Sequence, residues 1–143
     1  MKELLEGFIE LERSIASEKG EFGLFALFLR EDAGAGSGTS GYSGYFAKWD
    51  LIVAAPWIEG ERKEALSHIT RRIQETFTPE ELSQLSRIVL IDLANPEVEA
   101  INRAIRVQHG RAEIHDSNFF GLQIKHAYII TSQRTNINEE IPA

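Results

Sequence analysis

Phe22-Gly23-Leu24-Phe25-Ala26-Leu27-Phe28-Leu29-Arg30 is apolar at nearly every position, with no side of the segment left for water. Such a run suits a strand covered on both faces. A loop rich in glycine and serine follows at residues 33–44, with Gly34, Gly36, Gly38, Gly41 and Gly44. Chain of that composition turns and loops rather than extends. Residues 45–55 then read as a second strand, which Pro56 ends. The simplest connection is a long antiparallel hairpin, and that pairing decides the fold.

Working outward, residues 3–17 carry Leu4, Leu5, Phe8, Leu11, Ile15 and Ala16 near the helical period, with the glutamates largely elsewhere. An amphipathic helix closing at Lys19-Gly20 is expected. Residues 60–77 form a second helix, with Leu66, Ile69, Ile73 and Phe77 on one face. Thr78-Pro79-Glu80-Glu81 is a helix start: threonine caps, proline takes the first helical position, and Glu81 completes a capping box. Residues 87–93 read as a buried strand. Asn95-Pro96 starts a further helix running to Gln108, closed by Gly110. Residues 112–116 alternate, Asp116-Ser117-Asn118 turns, and residues 119–131 form a long strand with Phe120, Leu122, Ile124, Tyr128 and Ile130 on one face. The order α-β-β-α-α-β-α-β-β implies a single α/β domain (α+β, mixed) over residues 1–131, with a polar tail at 132–143. Its mixed sheet holds about five strands covered by helices. The strand from Arg87 runs parallel to the one before Pro56.

Composition narrows the function. The 143-residue chain has no cysteine, which excludes disulfides, thiolate zinc sites, iron–sulfur clusters and a cysteine nucleophile. With 22 acids against 15 lysines and arginines, its net charge of −7 works against non-specific nucleic-acid binding. No apolar run approaches the ~20 residues of a membrane span, and the N-terminus lacks a signal-peptide pattern, so a cytoplasmic, non-membrane protein is expected.

The stretch Gly36-Ser37 followed by Asp50-Leu51-Ile52-Val53 resembles the nucleotidyltransferase signature of the DNA polymerase β superfamily. Asp50 falls at the second acid of that pattern and Asp92 is the candidate third. The resemblance implies Mg²⁺ chemistry on a phosphate-containing substrate, because clustered carboxylates clamp two ions about the transferred phosphoryl group. The first acid of the pair is here Lys48, which cannot ligate magnesium. Lys48, Asp50, Gln123 and Lys125 also have a spacing similar to the restriction-endonuclease core, with Gln123 in place of its glutamate. A cross-strand Lys–Asp pair is the simpler reading.

His68, His109, His115 and His126 lack the helical spacing of a metal motif, and His126 is expected as a core histidine. No metal site and no cofactor follow from them. Ligands of open α/β sheets sit beyond the carboxyl ends of parallel strands. That rule points to Trp57 and Asn95 as ligand-binding candidates, unless Trp57 plugs the core edge and Asn95 caps a helix. Arg62, Arg71 and Arg72 on one helix, with Arg103 and Arg106 on another, would form a cationic surface for an acidic or phosphate-bearing partner if both helices cover one side of the sheet. The final strand and the aromatic cluster Tyr42, Tyr45 and Phe46 are candidate self-association surfaces. The reading that results is a non-catalytic binding or regulatory module acting as a homo-oligomer. The alternative is a divalent-metal-dependent enzyme on a phosphate-containing substrate, using Asp50 and Asp92.

Overall fold

The computed structural model describes residues 2–30 and 48–135. In chain order the elements are α1 (Lys2–Lys19), β1 (Leu24–Arg30), β2 (Trp49–Ala54), α2 (Arg62–Thr76), α3 (Pro79–Leu82), β3 (Leu85–Leu90), α4 (Pro96–Ala104), β4 (Ala112–Phe119) and β5 (Leu122–Ser132). This is the α+β domain with a mixed five-stranded sheet that the pattern of apolar residues implies. The glycine loop and the aromatic cluster at Tyr42, Tyr45 and Phe46 lie outside the described residues.

The sheet runs β3-β2-β1-β5-β4. β1 pairs antiparallel with β2, Leu24 opposite Ala54 and Phe28 opposite Asp50. β2 pairs parallel with β3, joined by the α2 crossover. Both faces of β1 are buried, which is why its sequence shows no alternation. Phe25 and Leu27 face α1 and α2, packing among Phe8, Ile15, Ile69 and Ile73. Leu24, Ala26 and Phe28 face the opposite layer, where α4 supplies Val98 and Ile101. Gly20 ends α1 at φ 127°, a conformation that costs a side-chain-bearing residue, and donates its N–H to the carbonyl of Ala16 at 2.9 Å. The capping box at Thr78 forms as its sequence implies, with Thr78 and Glu81 bonded reciprocally.

Three local expectations are corrected. The turn near Asp116 does not form: β4 runs through it to Phe119, and the chain reverses at Phe120-Gly121 instead. Both residues have positive φ, the twist a two-residue hairpin needs. Phe120 tolerates this because its N–H donates to Glu97 and its ring lies near Phe28. α4 stops at Ala104 rather than Gln108, because Val107 bridges to Ser132 and draws the chain into the sheet. The last strand is interior, between β1 and β4, so it offers no dimer edge; β3 and β4 are the edges. This strand also takes in Ser132, the first residue of the expected tail, which is tied to Asn102 and Val107, while Gln133 is tied to Gly23.

One interior glycine has a packing reason. A Cβ on Gly7 of α1 would lie 2.6 Å from Cε1 of Phe77, whose ring packs at a tilt against Phe8, centroids 4.6 Å apart. Alanine in mid-helix ordinarily gains about 1 kcal/mol over glycine. Here overpacking costs about 1–3 kcal/mol, so Gly7→Ala is expected to lower the urea midpoint. A raised midpoint would contradict this packing.

Candidate functional site

Asp50 is the second residue of β2 and faces the α4 layer at 2% exposure. A carboxylate so placed needs a counter-charge. Arg30, at the end of β1, donates Nε–H to its Oδ2 at 2.9 Å. Arg87 of β3, opposite Asp50 in register, brings its Nε to 3.3 Å from the same oxygen. Oδ1 has no hydrogen-bond partner among the described residues. Two guanidiniums thus share one oxygen of this carboxylate.

Asp92 stands elsewhere. It follows β3 at the far end from Arg87 and is exposed, paired with Arg62. From position 87 to 92 the strand direction carries the chain roughly 16 Å at about 3.3 Å per residue. Two-metal centres hold their ions about 3.5–4 Å apart, so the structure does not bring Asp50 and Asp92 into one. Gln123 and Lys125 do not neighbour Asp50 either, since β1 lies between β2 and β5.

Trp57 and Asn95 also part company. Trp57 packs edge-on against Phe22 at 5.6 Å and lines a cleft of about 130 Å³ with Lys19, Glu61, Glu64, Ala65 and His68. Its indole Nε1 is buried with no hydrogen-bond partner among the described residues. Asn95 caps α4, accepting from the N–H of Glu97 at 2.8 Å. The five arginines form no common surface. α2 belongs to the layer of α1, while α4 covers the other face of the sheet. Arg71 and Arg103 pair with glutamates one turn along their own helices, and Arg72 with Glu18 of α1.

Two polar clusters carry histidines. The first ties α1 to the rest of the molecule. Glu12, fully buried, lies 2.5 Å from Nδ1 of His109 and accepts from the Thr131 hydroxyl at 2.8 Å. Glu21 approaches the other nitrogen of the same ring at 3.4 Å. Burial raises the Glu12 pKa, opposed in part by the hydrogen bonds from His109 and Thr131. His109 sits at φ 54°, held there by its own N–H bond to Thr131.

The second cluster lies on the outer hairpin. Glu113 and His115 are two apart on β4 and share a face; His126 of β5 is opposite His115 in register, and Tyr128 opposite Glu113. Nε2 of His126 is 2.7 Å from Oε2 of Glu113, and Nε2 of His115 is 3.3 Å from the same oxygen. The two imidazoles stack at 4.3 Å and 22°. Tyr128 and Trp49 pack on the other side of His126, at 4.6 and 5.6 Å. Burial raises the pKa of the Tyr128 hydroxyl above its ordinary value of 10.0, and the Glu113 carboxylate beside it acts in the same direction.

His126 is thus no core histidine: it stands in a polar cluster open to solvent. The signal in the sequence was Glu113-x-His115, an alternating pair, facing a histidine across a reversal. Reading it requires the register, and the expected turn near Asp116 hides that. A register irregularity near Lys125 adds to the difficulty, because it places Ile124 and His126 on opposite faces of β5 although they are two residues apart.

Among the described residues, no helix is long and apolar enough to cross a membrane. The chain matches no known family model, no curated protein and no solved structure.

Proposed function

We propose that the protein is a cytoplasmic, non-catalytic binding or regulatory module that works as a homo-oligomer, two copies joining along β3. The observation that carries this reading is the incomplete burial of one edge. Leu85, Ile88, Val89, Leu90, Ile91 and Leu93 are all only partly buried, whereas the apolar residues of the inner strands β1 and β2 are almost completely so. Sheet edges in monomers are blunted by charge, bulges or cover. β4 follows that rule, with Glu113, His115 and Asp116 exposed along it. β3 has a single charged residue, Arg87, and it is committed to Asp50.

The backbone supports a partner strand. Ile91 donates its N–H inward to Val53 at 2.9 Å, so the carbonyl of Leu90 points outward, where Arg62 reaches it at 3.3 Å and a second lone pair remains for a partner's N–H. By alternation the polar groups of Ile88 also turn outward. Leu66 lies one helical turn from Arg62, whose guanidinium reaches Leu90, and is 38% exposed. A two-fold axis at Ile88 would pair β3 with its copy antiparallel, place Arg87 opposite Val89, and set no like charges against each other. Two-fold self-pairing is the commonest mode of oligomer formation.

Sedimentation velocity tests it. The wild type is expected to run as a dimer, and Leu66→Lys combined with Ser86→Pro as a monomer with an unchanged circular dichroism spectrum. Ser86 is exposed at an irregularity in the β2–β3 pairing, so proline there costs the fold little. A monomeric wild type defeats the reading.

A further inference from the structure

We infer that Glu113, His115 and His126 form a binding site for a divalent transition-metal ion of the zinc class, built on the outer hairpin. Three donor atoms converge: one nitrogen of each imidazole and a carboxylate oxygen all lie within 4.8 Å of one another. The convergence follows from β geometry. Residues 113 and 115 project from the same face of β4, and the antiparallel register brings His126 alongside His115. With both rings stacked and both Nε2 atoms turned to the same oxygen, little rearrangement separates this arrangement from a chelate.

The donor set selects the ion. Two neutral imidazoles and one carboxylate suit Zn²⁺, Co²⁺, Ni²⁺ or Cu²⁺, whereas Mg²⁺ and Ca²⁺ require oxygen ligands throughout. Three protein ligands leave one tetrahedral position for water or an incoming group. The surroundings orient the ligands, as neighbours of metal-binding residues do. His126 is held between His115 and the Tyr128 ring, with Trp49 against it, so its ring plane is set before any ion arrives. His115, at 62% side-chain exposure, keeps the site open from outside.

The other histidine cluster does not compete on these terms. Oε1 and Oε2 of Glu12 are already engaged by His109 and Thr131 inside the molecule, so an ion there would displace buried hydrogen bonds. The hairpin site is also on the opposite edge of the sheet from β3, so it stands or falls independently of the proposed dimer.

Calorimetric titration of the full chain with ZnCl₂ and with MgCl₂ tests the inference. Zinc is expected to bind with one ion per chain, and magnesium to give no heat. His115→Ala, at an exposed position, and Glu113→Gln should each weaken zinc binding roughly tenfold or more. Glu21→Gln, which alters only the other cluster, should leave it unchanged. Cu²⁺ bound at the same place should quench Trp49, and the quenching should weaken in parallel in His115→Ala. No zinc binding, or equal affinity in His115→Ala and wild type, overturns the site.

Discussion

Replacing Glu12 with alanine is expected to lower the unfolding free energy by about 3–5 kcal/mol, the combined cost of a cavity at a fully buried site and of a buried hydroxyl left without its acceptor. The side chain is fully buried at the junction of α1, the segment before β4, and β5. Its loss leaves the buried Thr131 hydroxyl without an acceptor, a deficit of about 1–3 kcal/mol by itself. For a domain of this size each kcal/mol moves the melting temperature by a few degrees. A drop of about 10 °C or more should therefore be seen by calorimetry. Glu12→Gln keeps the volume and an acceptor oxygen, so it should cost much less.

The same pair of proteins reports the titration of Glu12. Burial raises its folded pKa above the ordinary value of 4.5. Between those two values the native state holds a proton that the unfolded chain releases, so stability falls as pH rises across the window. Glu12's contribution is thus complete below about 4.5 and lost as pH passes its raised folded value. The stability of wild type minus that of Glu12→Gln, from urea unfolding at stepped pH, should decline through this range. A difference that is flat or grows with pH would mean the carboxylate is not held as the burial implies.

The second large effect is expected at Asp50. Alanine there removes a buried carboxylate that both Arg30 and Arg87 contact. Both guanidiniums retain some access to water, which places the cost at the low end of the buried-pair range, about 3 kcal/mol. Removing one cation is different: Arg87 is half exposed, and Arg87→Ala should cost under about 1 kcal/mol, as exposed ion pairs do. The asymmetry between the two variants is the diagnostic, read from denaturant midpoints. Asp50→Ala within about 0.5 kcal/mol of wild type, the range of ordinary surface changes, would show that the carboxylate is not the centre of this cluster.

Asp50 also shows where sequence and structure divide. Its position on a strand ahead of a β-α-β crossover was legible, and so was its resemblance to a metal-binding acid. Legibility stopped at its partners. Arg30 lies twenty residues away and Arg87 thirty-seven in the other direction, and only the sheet order sets both against one oxygen. That contact gives the candidate magnesium ligand two arginine partners that no local pattern announces.

Local chemistry alone determined a good deal of this protein. The continuous apolar run at residues 22–30 marks an inner strand, Thr78-Pro79 and Asn95-Pro96 mark helix starts, and Gly20 marks a helix end, because each depends on neighbours within a few residues. Tertiary structure decided what depends on register and layer. It placed β5 inside the sheet, set the arginines of α2 and α4 on opposite faces, and brought His126 across from Glu113 and His115. A one-residue slip or bulge in a strand sends a side chain to the other face, and such a slip is fixed by pairing energy summed over the whole sheet rather than by any residue's own preference.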